Sequence, residues 1–300
     1  MKMLALDRVR DGDIHTLADF AELLCLQRPD RVLSADDLHD HLVDVCGEER
    51  GDRNLGDAFA HMTWRSAAFV DNYPFQIAGN QQSISASDAL TKGQEAYVFL
   101  LLCANLPFIG APYNPLTDAF ERLAHLVLKR MWPDKAEIRS FGKNNSTYAG
   151  NKSLRLRTLA ADLGCRPTID STKFRSRDSG DGGIDLAGWL ELDAFEAANK
   201  FSCLAQCACS REEWSSKQFE ISRGSIGKLF NPTTPWLEIL FIPICFRDNN
   251  GRWAFDSEVG EIVMIDRLRM MQFVEPQVDL ASINPPPTLT NFLGSRLPVV

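Results

Sequence analysis

Forty residues constrain this chain more than any others: Asp178 to Lys217, DSGDGGIDLAGWLELDAFEAANKFSCLAQCACSREEWSSK. The tetrad Gly180-Asp181-Gly182-Gly183 supplies glycine where a backbone must turn tightly or take positive φ, and it runs directly into the apolar stretch Ile184–Leu190, which reads as a strand. Asp185 therefore sits on a strand just past a glycine turn. A polar connection, Glu191–Lys200, leads to a second apolar run, Phe201–Cys209. It is short enough for the two strands to pair as antiparallel neighbours.

Period-two alternation puts Cys203, Ala205, Cys207 and Cys209 on one face of the second strand and Leu204, Gln206 and Ala208 on the other. The face of small cysteines is expected to pack, which turns Gln206 toward a common site with Asp185. Beyond Ser210 the pattern becomes helical. Trp214 and Lys217 lie on one face of that helix, from which the lysine can swing back over the strands.

This order, Gly183-Ile184-Asp185, then Gln206-Cys207-Ala208, then Trp214-Ser215-Ser216-Lys217, resembles the PD-(D/E)xK, restriction-endonuclease-like nuclease superfamily. The likeness is to its Mrr-like branch and to nucleases of bacterial anti-phage defence operons. Ala208 stands where the family usually has lysine, and the resemblance implies that Lys217 takes over that role. Upstream, Leu116, Phe120, Leu123, Ala124, Val127 and Met131 form a helical stripe with Thr117 as its cap, ended by Trp132-Pro133. Phe120-Glu121 on it resembles the F-E pair of Mrr-like helices.

The resemblance implies an α/β fold, a mixed central β-sheet flanked by helices, over residues 113–283. It implies a site in which Asp185, Glu121 and Gln206 hold Mg²⁺ or Mn²⁺ and Lys217 serves the attacking water. DNA is the implied substrate, with RNA open, and the implied role is a defence effector working with a protein partner from its operon; a homodimer is a further arrangement. The other reading is a catalytically inactive nuclease fold that binds nucleic acid or a partner protein.

Charge is distributed to suit a polyanion. The net charge is −8, yet Lys129–Arg177 carries twelve basic and four acidic residues. Most of that block falls in an insertion, 132–177, where Lys143, Lys152, Arg155, Arg157, Lys173, Arg175 and Arg177 are candidates for contact with nucleic acid. Within it, a glycine and asparagine loop, Phe141–Lys152, precedes an amphipathic helix, Leu154–Leu163, capped by Gly164.

Residues 1–112 read as an acidic helical region with a regulatory or partner-binding role. It carries a stripe of Leu17, Phe20, Leu23 and Leu24, an N-cap at Ser34, a loop or seam at Asp71–Lys92 and a buried helix at Gly93–Leu106. The acidic helices are expected to present a solvated face. The run Trp236–Phe246 reads as a strand with Pro243 marking an edge or bend, Val263–Val274 as a helix, and residues 284–300 as an extended proline-rich tail.

Other chemistries fit poorly. The eight cysteines lack a framework spacing, and Cys203, Cys207 and Cys209 lack a second pair to close a zinc site, so they read as core. His39 and His41 diverge on a helix. Arg223–Lys228 lacks the first glycine of a phosphate loop, Ser222 standing there. With no apolar leader in Met1–Asp13 and no span of membrane character, a cytoplasmic, non-membrane protein is expected.

Overall fold

A computed structural model describes residues 14–46, 55–109, 112–142, 144–168, 182–284 and 287–296. The chain divides into two compact units that interleave in sequence. One takes the residues up to Ala119, Pro243–Asp256 and those from Glu275 onward; the other takes Phe120–Ile242 and Ser257–Val274. The stretches 113–119, 243–256 and 275–283, which the sequence reading groups with the sheet, thus belong to the first unit.

The first unit opens with α1 (Ile14–Gln27), β1 (Val32–Ser34), α2 (Ala35–Cys46), α3 (Leu55–Phe69), β2 (Phe75–Ile77), β3 (Ser83–Ala86), α4 (Lys92–Ala104) and α5 (Leu106–Ile109). Ser34 caps α2 as expected: its Oγ accepts from Asp37 N–H at 3.0 Å while Asp37 Oδ2 accepts from Ser34 N–H at 3.0 Å. Helix α4 is buried nearly all round and starts in a capping box of Thr91 and Gln94. Three expectations fail. The supposed loop at 71–92 holds β2 and β3, which join β1 in an antiparallel sheet of order β1-β3-β2; strands this short and serine-rich give no alternation to detect. The acidic face is not simply solvated, because Asp19 and Glu22 of α1 are wholly buried, bonded to Arg65 of α3 at 2.7 and 2.8 Å. The tail, too, contains a helix, Pro287–Gly294, where an extended segment is expected.

The second unit holds the larger sheet. Helix α6 (Asn114–Met131), which belongs to this unit from Phe120 onward, leads into β4 (Ala136–Ser140), α7 (Lys152–Asp162), β5 (Arg166–Pro167), β6 (Leu186–Leu190), β7 (Phe201–Cys207), α8 (Trp214–Lys217), α9 (Arg223–Ile226), β8 (Phe230–Asn231), β9 (Leu237–Phe241), β10 (Val263–Ile265) and α10 (Arg267–Met271). Strand order is β10-β9-β7-β6-β4, with β5 and β8 forming a separate pair. Strands β4, β6 and β7 are antiparallel, with Leu186 opposite Ser140 on one side and Ala205 on the other, whereas β7, β9 and β10 run parallel. The protein is therefore α/β, with a mixed five-stranded sheet flanked by helices and a helical N-terminal region.

Leu156 and Leu159 of α7 pack with Ala187, Trp189, Leu204 and Trp236, closing the core over one face of β6 and β7. Strand β7 is consequently buried on both faces from Ser202 to Gln206, so Gln206 is not on an open face as the alternation suggested. Residues 263–265 are a strand rather than the start of a helix, because parallel pairing along the apolar run of β9 outweighs the local pattern. Pro243 lies beyond the end of β9 and costs the ladder nothing. Thr117 sits inside α6, which begins three residues earlier, at Asn114. Among the described residues no helix is long and apolar enough to cross a membrane.

Candidate functional site

The site forms where β4, β6 and β7 end together. Gly182 and Gly183 take φ of +76° and +85°, a conformation that side-chained residues resist, and deliver the chain into Asp185. Asp185 N–H donates to Ala205 O at 3.0 Å, and the Asp185 carbonyl accepts from both Phe141 N–H and Gly142 N–H, at 2.7 and 3.0 Å. Two successive amides sharing one carbonyl mark a bulge, which bends β4 away as it leaves the sheet.

The Asp185 carboxylate is fixed at one oxygen. Its Oδ2 accepts from Cys207 N–H at 2.7 Å, a charge-assisted bond worth about 1.5–3 kcal/mol. Oδ1 faces Gly142. A Cβ built on Gly142 would lie 2.8 Å from Asp185 Oδ1 and 3.1 Å from Glu121 Oε1, so both carboxylates converge on the side of this glycine that carries only a hydrogen.

Glu121 reaches that point because α6 lies along β4. His125 bonds the Ile138 carbonyl at 3.2 Å, and one turn earlier Glu121 Oε1 accepts from Asn144 N–H at 3.3 Å, while Arg122 donates to Asn144 Oδ1 at 3.2 Å. Glu121 is buried, although the sequence pattern set it off the apolar stripe. Gln206 is bracketed by the backbone bonds of Asp185 to Ala205 and of Cys207 to Asp185. It is 4% exposed, and among the described residues its Oε1 has no hydrogen-bond partner.

The donor set suits a hard cation. Two carboxylate oxygens converge on one side of Gly142, and on β7, in the position opposite Asp185, Gln206 carries a buried amide oxygen that is left unsatisfied; oxygen ligands of this kind fit Mg²⁺ or Mn²⁺, which retain several waters. Among the described residues no three His, Cys, Asp or Glu side chains gather to hold an ion, so the convergent protein ligands are the two carboxylates. The thiols do not compete. Burial, then the charges of Asp185 and Glu121, hold the Cys207 thiol well above its ordinary range, and burial and Asp185 do the same for Cys209, so both stay protonated at neutral pH.

Lys217, half-buried in the single turn of α8, acts electrostatically on both thiols, which places its charge near the end of β7. Among the described residues its ammonium makes no hydrogen bond or ion pair. Of the basic candidates, Lys143, Lys173, Arg175 and Arg177 lie outside the described residues. Lys152 opens α7, with its Cε 4.0 Å from where a Gly182 Cβ would be, and Arg157 is exposed. Arg155 donates to Phe141 O and covers the Phe141 ring at 4.7 Å, tying α7 to the end of β4. His39 and His41 diverge as expected, one beside Asp40 and the other packed on Phe20. Gly142 and the Asn144 and Cys207 amides were not singled out by sequence; the only signal was a glycine following Phe141 in the loop.

No protein-family model, curated protein or solved structure matches this chain.

Proposed function

We propose that the protein is a Mg²⁺- or Mn²⁺-dependent nuclease that hydrolyses phosphodiester bonds of DNA, with RNA as a second substrate class. Its proposed setting is the bacterial cytoplasm, as effector of an anti-phage defence system with a partner from the same operon. The observation that carries this reading is the convergence of Asp185 and Glu121 on the bare side of Gly142. Paired carboxylates repel one another, and a bound cation relieves that repulsion.

Asp185 and Glu121 would hold the ion through carboxylate oxygens and Gln206 through its amide oxygen. Such an ion supplies charge neutralisation at the phosphate and an activated water. With Gln206 in place of a glutamate the site carries one negative charge fewer. Asp185 keeps its orientation through Cys207 N–H, so its geometry is set before substrate arrives. Lys217 brings positive charge to the phosphate, and Lys152, Arg157 and the other residues of the basic block hold the flanking backbone.

Two features favour the second reading, a nuclease fold that binds without cutting: alanine at 208, and a Lys217 that makes no ion pair among the described residues. One assay separates them. Purified protein is incubated with supercoiled plasmid, single-stranded DNA and RNA, with Mg²⁺ or Mn²⁺, beside Asp185→Ala and Lys217→Ala. Nuclease action predicts cutting lowered at least 100-fold by Asp185→Ala and at least tenfold by Lys217→Ala. Cutting unaffected by Asp185→Ala would sink the assignment, and gel retardation without cutting, alone or with operon partners, would favour the binding module.

A further inference from the structure

We propose that Gly142 is a positioning residue for the carboxylate pair, its lack of a side chain letting Asp185 and Glu121 close on a shared cation; this rests on the cation reading above. Gly142 is buried, and its backbone is outside the positive-φ region that favours glycine, so conformation alone does not demand glycine here. What excludes a side chain is the neighbourhood. A Cβ would meet Asp185 Oδ1 at 2.8 Å, Glu121 Oε1 at 3.1 Å and Asp185 Cα at 3.3 Å.

Neither carboxylate can swing aside at no cost. Asp185 Oδ2 is bonded to Cys207 N–H at 2.7 Å, and the oxygen of Glu121 that faces the glycine is bonded to Asn144 N–H at 3.3 Å. Backing away is resisted on the glycine's own side, where Gly142 N–H donates to Asp185 O at 3.0 Å and Arg155 grips the preceding carbonyl, that of Phe141. A methyl group would thus have to part the two acids. Oxygen–cation distances of about 2.0–2.6 Å are shorter than any carbon–oxygen contact, so an ion fits between oxygens that a carbon must push apart. Glycine here lets the two carboxylates stand near enough to share an ion, which a side chain between them would prevent.

The test is Mn²⁺ binding to the full chain, read from the EPR signal of free Mn²⁺, for the parent, Gly142→Ala, Glu121→Gln and the double variant. Gly142→Ala is expected to weaken binding at least tenfold, with Glu121→Gln adding little in its presence, because both changes act on one carboxylate pair. Equal affinity in Gly142→Ala and the parent overturns the proposal, as does full additivity of the two changes, which would mean that the alanine acts elsewhere. If the parent itself binds no Mn²⁺, the cation reading fails first and this inference with it. Should Gly142→Ala not fold, Gly142→Ala/Asp185→Ala removes the nearer carboxylate: recovered folding supports the steric relation, and continued failure overturns it.

Discussion

A buried amide oxygen with no partner forfeits about 1–3 kcal/mol of solvation, and Gln206 Oε1 is placed in that condition. Evolution or chance could leave such an atom; a ligand role gives it a use. Gln206→Leu separates the two, since it removes the unsatisfied group at similar volume. Without metal the variant is expected to be as stable as the parent, or about 1 kcal/mol more stable, by the same reasoning. With Mn²⁺ it should lose about tenfold in affinity, one ligand's share. Thermal melts with and without Mn²⁺ check both. A leucine variant markedly less stable without metal would show that Oε1 has a partner inside the fold, and would remove it from the ligand set. The glycine turn before Asp185 and the two apolar runs were legible, but Asp185 falls one residue before β6 rather than on it, and Gln206 is buried where an open face was expected. Gly142 was not legible, because its importance lies in contact with carboxylates from α6 and from just before β6, and spacing along the chain carries no record of that.

Elements were read where local chemistry and tertiary packing agree. The hairpin of β6 and β7, α4 with its cap, and α7 with its glycine end all have short-range signatures. Strand β4 escaped notice because Ala136-Glu137-Ile138-Arg139-Ser140 carries one large apolar residue and becomes a strand only against β6. Strand β10 was taken for helix because its three residues have too little sequence to show a period. The end of α7 tests how tightly such a stop is built. Gly164 has φ of +68°, and a Cβ there would run into the Ala197 carbonyl of the β6–β7 connection. Left-handed backbone alone costs a side-chained residue about 1–2 kcal/mol. Gly164→Ala should therefore destabilise the protein by about 2 kcal/mol or more, measured by urea unfolding. A loss under roughly 0.5 kcal/mol, the size of an ordinary surface change, would mean that the connection moves aside and that the helix end gives up its left-handed turn.

At the scale of the whole molecule, polar groups are buried in both units but to different ends. In the second they meet at a half-exposed aspartate; in the first they gather around Arg65, whose Nε and Nη2 are left without a hydrogen-bond partner among the described residues. Glu22 accepts from Tyr73 and Tyr97 at 2.8 and 2.9 Å, Asp19 from Asn105 at 3.0 Å, and Arg65 joins both acids. Beside them His61 contacts His15 at 3.3 Å and Asn249 at 2.9 Å, and stacks on Trp64. Burial, then the nearby Arg65 and His15, lowers the His61 pKa from 6.5 to about 2. The folded state therefore refuses a proton that the unfolded chain takes up below pH 6.5. The stability this represents is complete above pH 6.5 and is lost as pH falls toward the folded value, at up to about 1.4 kcal/mol per pH unit. Urea unfolding of the parent at pH 7.5 and 5.5 should show the loss, and His61→Gln, which cannot be protonated there, should flatten it. An equal slope in the glutamine variant would move the acid sensitivity to other groups, and a parent with no slope would mean that His61 accepts its proton in place, with Asn249 turning to receive it.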